Sequence, residues 1–227
     1  MRIIGLLGGM SAESTTLYYQ AMNRLVRERL GGLHSAQLLM WSVDFAPIAE
    51  MQAQGAWEAA GEVLAQAAGR LEGAGAEAIL ICANTMHLVA DQVQAAIGVP
   101  LIHIADATAA AVKAAGCSRP LLLATRFTME KAFYRDRLRA QGVEAAVPDA
   151  ADRDRLHAII YDELCQGVVT QASKTDVLAM IEKAQACDSV IFGCTEVGLL
   201  LSPEDLALPV IDTALVHAQA AVDFALS

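Results

Sequence analysis

The chain has few basic residues and few aromatic ones. Of its 227 residues, 16 are lysine or arginine and 26 are aspartate or glutamate, which gives a net charge of -10. An acidic surface lacks the basic patches that bind nucleic acids and anionic membranes, so we expect neither as a partner. This charge says little about small substrates, because they respond to the local field of a site.

Cysteine is also scarce, and its positions show neither a CxxC motif nor a cysteine/histidine cluster with zinc-binding spacing. The five positions are Cys82, Cys117, Cys165, Cys187 and Cys194. The chain lacks an apolar run of roughly 18 residues, and its first residues lack the charged and apolar regions of a secretory signal. We therefore expect a cytoplasmic protein with reduced thiols, no membrane span and no metal.

Short apolar runs that alternate with helical patterns are abundant. The expected strands are Arg2–Leu7, Gln37–Phe45, Ala76–Cys82, Pro100–Ile104, Arg119–Ala124, Val143–Val147, Ser189–Gly193 and Pro209–Asp212. The expected helices are a first one through Leu17–Val26, then Ala56–Gly73, His87–Ile97, Thr128–Gln141 with Thr128 as its cap, Arg153–Cys165, Lys174–Ala186 and Thr213–Leu226. This alternation predicts an α/β fold with mainly parallel sheets flanked by helices.

Two of the apolar runs end in a cysteine followed by small polar residues. The first is Ile79–Thr85, which contains Cys82, and the second is Val190–Glu196, which contains Cys194. In open α/β sheets, ligands bind beyond the carboxyl ends of the strands. The two thiols are therefore candidate reactive groups, whereas either one alone would more simply be an inert buried cysteine.

The two cysteine segments belong to a wider internal repeat. Pro100–Ile102 resembles Pro209–Ile211, and Leu6–Gly9 resembles Leu122–Thr125, in the same order along the chain. The pattern predicts two pseudo-symmetric lobes and an active site in the cleft between them. A general similarity among α/β strands is the alternative explanation.

Two opposed thiols suit one kind of chemistry. A thiolate can remove a proton from one face of a carbon while a thiol returns a proton to the other face, which inverts that carbon. Each cysteine then acts as base in one direction and as acid in the other. Asn84, Thr85 and Thr195 could hold a substrate carboxylate or ammonium, although each of them could simply cap a helix.

The segments Gly8–Ser11, Cys82–His87 and Gly193–Glu196 resemble those of the aspartate/glutamate racemase family, the cofactor-independent amino-acid racemases. The resemblance covers essentially the whole chain. It implies a two-base mechanism on Cys82 and Cys194, no cofactor, an amino-acid substrate and a homodimer. It also implies that the chain crosses between lobes near Pro100 and returns with its last helix, so that the lobes are residues 1–99 with 214–227 and residues 100–213. The substrate contacts proposed on this basis are Met10, Ser11, Gln52, Asn84, Thr85, Thr125, Thr195 and Glu196, of which Glu196 could hold the ammonium or orient Cys194.

Departures from the family pattern concern the substrate side chain. Aspartate-specific members carry an arginine after the second strand and a lysine in a later helical region. Both cations pair with the side-chain carboxylate of the substrate. Here residues 35–69 contain no Lys, Arg or His, and Cys165 stands at the position resembling the lysine. A carboxylate without a partner is costly to bury. We therefore expect a broad-specificity racemase, or one that prefers a neutral polar side chain such as homoserine, with Arg126 as a cation that could still reach the site.

Three alternatives stay open from the sequence. One is a strict aspartate or glutamate racemase. Another is a decarboxylase or cis–trans isomerase on the same scaffold, for which one cysteine would suffice. The last is a non-enzymatic thiol sensor or amino-acid-binding protein. His87 either neighbours the site or has a solvated or capping role, and His103 is expected in the core.

Overall fold

A computed structural model describes all residues, 1–227, and resolves the chain into two compact units. The first comprises Met1–Ile104 with His217–Ser227, and the second comprises Ala105–Val216. Each unit contains one parallel three-stranded sheet flanked by helices, as the sequence predicts. No helix is both long enough and apolar enough to cross a bilayer.

The first unit alternates strands and helices from its first residues. Its elements are β1 (Ile4–Gly8), α1 (Ala12–Leu30), β2 (Leu38–Ser42), α2 (Phe45–Gln54), α3 (Trp57–Gly73), β3 (Ala78–Ile81), a 3-10 turn (Thr85–Val89) and α4 (Ala90–Ala95). The strand order is β2-β1-β3. All residues of β1 and β3 are buried, whereas β2 is an edge strand with exposed residues such as Trp41. Continuous apolar runs are typical of parallel strands covered on both faces.

Helix α3 supplies much of the apolar packing in this unit. Its buried residues recur every three or four positions, as in Ala60, Leu64, Ala67 and Leu71, and they share a core with Ile79 of β3. Small alanine side chains let the helix lie close to the sheet, so the alanine-rich pattern favours both a helix and its packing.

The second unit repeats this plan. Its elements are α5 (Ile104–Ala114), β4 (Pro120–Leu123), α6 (Arg126–Glu130), α7 (Ala132–Arg139), α8 (Ala150–Ala158), a π turn (Ile159–Glu163), a 3-10 turn (Leu164–Gln166), α9 (Gln171–Lys183), β5 (Ser189–Phe192), α10 (Val197–Leu200), a 3-10 turn (Pro203–Asp205) and β6 (Val210–Asp212). The last helix, α11 (Thr213–Leu226), starts in this unit, and most of it belongs to the first. The strand order is β4-β5-β6, all parallel. Helices α5 and α11 each begin in one unit and end in the other.

Several element predictions need correction. The strands predicted at Pro100–Ile104 and Val143–Val147 are reduced to single parallel bridges, because Leu101 pairs only with Ile79 and Ala146 only with Leu121. Helix α5 begins at Ile104, so the bridge at Leu101 cannot extend into a longer run of strand pairing. Helices α2, α5 and α10 are absent from the sequence-based prediction. Asp44 caps α2 by accepting a hydrogen bond from the Ala46 N–H at 3.2 Å, which ends the preceding strand region before Phe45.

Gly9, which follows β1, is predicted to be essential for stability. Its φ is +88°, and an added Cβ would lie 2.3 Å from the Val43 carbonyl oxygen, a backbone atom that cannot rotate away. Gly9→Ala should lower the free energy of unfolding by about 3 kcal/mol. The matched control is Gly55→Ala, with φ of +72° but no atom within 4 Å of the added Cβ, which should cost only about 1 kcal/mol. Equal losses in urea denaturation would contradict the clash.

His217 is a buried histidine of the first unit. Its Nε2 lies 2.6 Å from the Ile102 carbonyl oxygen, and its Nδ1 lies 2.8 Å from the Tyr18 hydroxyl. A carbonyl only accepts, so Nε2 carries the proton and Nδ1 accepts from Tyr18. Burial lowers the pKa of His217 to about 4, because the charged form would lose its hydration.

This depressed pKa predicts acid sensitivity. Between pH 6.5 and 4 the unfolded chain binds a proton at His217 that the folded chain does not, so stability is complete above pH 6.5 and falls as the pH drops. The contribution lost by pH 4 is about 3 kcal/mol. In His217→Gln the free energy of unfolding should therefore depend less steeply on pH over this interval. An unchanged slope in denaturation at several pH values would contradict the assignment.

Candidate active site

The turn after β1 is bound tightly to the start of α1. Ser11 caps the helix, and its Oγ accepts a hydrogen bond from the Ser14 N–H at 3.1 Å. The Gly9 N–H donates to the Thr15 hydroxyl at 2.8 Å. Met10 is buried in the apolar core of the first unit. The turn therefore has a fixed course, and Ser11, which the sequence analysis names as a substrate contact, serves as the cap of α1.

Cys82 follows β3 directly and is fully buried. Its N–H donates to the Leu7 carbonyl at 2.9 Å, and its carbonyl accepts from the Ser14 hydroxyl at 3.2 Å. The start of α1 and the cysteine loop are thus joined within the first unit. Burial raises the pKa of the Cys82 thiol well above its ordinary value, so the resting side chain is S–H.

Other predicted site residues of the first unit lie around this loop. Asn84 and Thr85 are buried where the 3-10 turn begins. Gln52 is buried too, and its amide nitrogen lies 3.1 Å from the sulfur of Met86, the residue after Thr85. The structure therefore brings Gln52 from α2 to the turn that follows Cys82.

The second unit has an equivalent pair of loops. The last residues of β4 and β5, Leu123 and Phe192, are paired in register, and the Gly193 N–H continues the ladder to the Leu123 carbonyl at 2.8 Å. Thr125 and Cys194 each lie two residues beyond these paired ends. Thr125 caps α6, accepting from the Thr128 N–H at 3.4 Å, so the prediction of Thr128 as the cap is wrong.

Glu196 connects the polar groups around Cys194. Its Oε2 accepts hydrogen bonds from both the Cys194 thiol and the Thr195 hydroxyl, each at 2.8 Å. Two donors on one oxygen fit an ionised carboxylate, which only accepts. Burial and then the adjacent Glu196 charge raise the pKa of Cys194 well above its ordinary value. Cys194 therefore rests as a thiol whose proton points at a carboxylate.

Two further side chains in the second unit belong to this environment. Tyr161 lies in the π turn, and its pKa is raised by burial and by the nearby Cys194 and Cys165. The 3-10 turn that carries Cys165 packs against α10, which begins directly after Glu196. Sequence reasoning missed Tyr161 and placed Cys165 only at the position that resembles the lysine of aspartate-specific members. A π turn leaves no periodic signal in the sequence, so spacing could not have revealed Tyr161.

Arg126 is engaged at the surface of the second unit. Its guanidinium lies 3.3 Å from the Asp154 carboxylate of α8, and both side chains are largely exposed. An exposed pair of this kind contributes little to stability. Its backbone N–H also faces His157 Nδ1 at 3.4 Å. Arg126, the cation that the sequence left as a candidate for the site, is thus already paired with the Asp154 carboxylate.

The fold and these loops define an α/β protein in which cysteine thiols lie beyond the carboxyl ends of parallel strands, where such sheets bind their ligands. The profile of the Asp/Glu/Hydantoin racemase family matches residues 7–221. The chain therefore belongs to that racemase family, as its motifs predicted.

Solved structures and a curated relative are similar to it. A Yersinia pestis protein described as a candidate Asp/Glu racemase is 49% identical, with full coverage of both chains and a TM-score of 0.93. An aspartate racemase homologue from Pyrococcus horikoshii is 35% identical, again over both full chains, with a TM-score of 0.87. The broad-specificity amino-acid racemase RacX of Bacillus subtilis is 27% identical over 67% of this chain and 66% of its own.

Proposed function

We propose that this protein is a cofactor-independent amino-acid racemase in which Cys82 and Cys194 are the two acid/base groups. The observation that carries the proposal is that each unit, within a racemase-family chain, holds a cysteine just beyond a buried parallel strand. The proposal requires both thiols to reach the Cα of one bound amino acid, from opposite faces.

Glu196 gives the second unit a route to a thiolate. Transfer of the Cys194 proton to the Glu196 carboxylate breaks S–H, forms O–H and leaves the electron pair on sulfur. The thiolate then takes the α-proton, and the C–H electron pair remains on the substrate as a carbanion. The Cys82 thiol, which burial keeps protonated, donates its proton to the opposite face. Cys82 becomes the thiolate base for the reverse direction.

The raised thiol pKa values serve this chemistry. An α-proton is a weak acid, and a thiolate with a raised pKa is a stronger base toward it. The reaction then depends on generating the thiolate only when the substrate is bound. Hydroxyl and amide groups beside the thiols stabilise the carbanion and hold the substrate's charged groups. We assign these contacts to Ser11, Asn84, Thr85, Thr125 and Thr195, with Met10 and Gln52 facing the rest of the substrate.

For the substrate we propose a neutral polar amino acid such as homoserine, or a broad range. Residues 35–69, which include α2 and Gln52, contain no cation that could pair with a distal carboxylate. Similarity to RacX, whose name describes broad specificity, agrees with this reading. A strict aspartate racemase would need a different source for the missing positive charge.

The decisive test is α-proton exchange in D₂O, followed by NMR, on a panel of L-amino acids without added cofactor. Aspartate, glutamate, homoserine, methionine and lysine make up the panel. We expect exchange at Cα with appearance of the D-amino acid, faster for homoserine than for aspartate. Faster exchange of aspartate would reverse the substrate assignment. If reduced, folded protein exchanged none of them, the racemase proposal would be rejected.

Two family expectations are kept as part of the proposal. The first is a homodimer, which sedimentation equilibrium would test at micromolar concentration. The second is a reducing, cytoplasmic location, which five free cysteines favour.

A further inference from the structure

Three histidines lie together in the interior of the first unit. The ring of His87 is 4.5 Å from that of His103 and 5.7 Å from that of His217, and all three side chains are buried. No group of three histidine, cysteine or acidic side chains in the structure could hold a metal ion. The cluster is a hydrogen-bonding arrangement, and one of its members contacts the loop of Cys82.

The partners of His87 determine its tautomer. Its Nε2 faces the backbone N–H of Ile104 at 3.2 Å, and a backbone N–H can only donate. Nε2 must therefore present a lone pair. Its Nδ1 lies 2.9 Å from the Ala83 carbonyl oxygen, which can only accept, so the single ring proton is on Nδ1. A second proton would set two N–H groups against each other at Nε2.

These bonds complete the anchoring of the Cys82 loop. The Cys82 carbonyl is held by the Ser14 hydroxyl, and the next carbonyl, that of Ala83, is held by His87. The Cys82 N–H is held by Leu7. The Cys82 N–H, the Cys82 carbonyl and the Ala83 carbonyl are thus all hydrogen-bonded. A fixed backbone limits the thiol to the few directions that the χ1 rotamers of Cys82 allow.

The other end of the His87 bridge is fixed as well. Ile104 N–H binds His87, while two residues earlier the Ile102 carbonyl accepts from His217, whose other nitrogen binds Tyr18. The segment that His87 uses as its anchor is therefore itself attached to α1 and α11. His87 connects a rigid part of the unit to the cysteine loop.

We propose that His87, as the neutral Nδ1–H tautomer, is a positioning residue for Cys82: its Nδ1–H holds the Ala83 carbonyl and so aims the thiol at the substrate, while the Ile104 N–H at Nε2 keeps the ring proton on Nδ1. The inference rests on the proposed racemase function. The bond at Nδ1 therefore acts directly on the loop of Cys82, whereas the bond at Nε2 acts through the choice of tautomer.

A matched pair of variants separates the two bonds. An asparagine amide can occupy the position of Nδ1 and keep a donor for Ala83, while losing the contact to Ile104. A glutamine amide reaches the position of Nε2 and keeps an acceptor for Ile104, while losing the donor. His87→Gln should lower kcat about tenfold or more with KM within about twofold, and His87→Asn should retain most of the rate. The exposed His34→Gln is the control.

Two readouts do not depend on activity. Histidine ¹⁵N NMR of the full chain should show His87 protonated at Nδ1 and unprotonated at Nε2. The rate at which a small alkylating reagent modifies Cys82, followed by peptide mapping, should rise more in His87→Gln than in His87→Asn, because only the former frees the loop. Melting temperatures identify any variant that is merely unfolded.

The outcomes distinguish the two proposals. If the protein racemises no amino acid, the function fails, while the tautomer and the alkylation rates still decide the role of His87. If racemisation is present but the asparagine and glutamine variants have equal kcat and equal Cys82 alkylation rates, the positioning role is overturned. An Nε2–H tautomer would overturn it as well.

Discussion

Replacing Cys82 or Cys194 by serine is expected to reduce racemisation at least ~1000-fold, a loss of about 4 kcal/mol of transition-state stabilisation. Serine is nearly isosteric with cysteine, but its hydroxyl is a far weaker acid and does not supply the thiolate base. In the proposed mechanism both cysteines are needed for inversion, because one group removes the α-proton and the other returns it. Polarimetry and D₂O exchange measure the loss.

The two single variants should also act on opposite enantiomers of the substrate. With one thiol left, the α-proton of one enantiomer can still be removed and returned on the same face. Cys82→Ser should therefore exchange the α-proton of one enantiomer only, and Cys194→Ser that of the other. Cys117→Ser and Cys187→Ser, which alter partly exposed cysteines outside the loops, are the controls. Either catalytic variant with a rate within tenfold of the unmodified enzyme would rule out the two-base mechanism.

Glu196→Gln should make the Cys194 thiol easier to ionise and should nevertheless slow racemisation. Loss of the carboxylate charge removes one cause of the raised Cys194 pKa, so the pKa of this thiol falls toward its ordinary value. Alkylation of Cys194 at a fixed pH should then become faster. Racemisation should nevertheless fall by about 100-fold or more, because the group 2.8 Å from the thiol that accepts its proton is gone.

The exposed Glu182→Gln is the control for the change of net charge. It should alter neither the alkylation of Cys194 nor the rate of racemisation. An unchanged pH dependence of Cys194 alkylation in Glu196→Gln would show that the carboxylate does not contact the thiol in solution. Faster alkylation with full racemase activity would remove Glu196 from the proton path.

The local pattern of the sequence was enough for the α/β class and for the strands that carry the cysteines. The buried runs at Ile79–Ile81 and Val190–Phe192 are continuous because parallel strands are covered on both faces, so hydrophobicity alone locates them. Pairing in register decides how long a strand is, and this depends on distant residues. In place of the strand predicted at Pro100–Ile104, the structure therefore has one bridge, at Leu101.

The sequence by itself determined the residues at the ends of the strands: two cysteines, each with short polar neighbours, in a chain that belongs to a racemase family. Only the tertiary structure decided their partners. It put the Glu196 carboxylate on the Cys194 thiol, the His87 ring on the Ala83 carbonyl, and Tyr161 near Cys194. Periodicity reports which face of an element is buried. It contains no information on rotamers, on π turns or on which distant backbone group meets a ring nitrogen, and those features set the protonation and direction of each thiol.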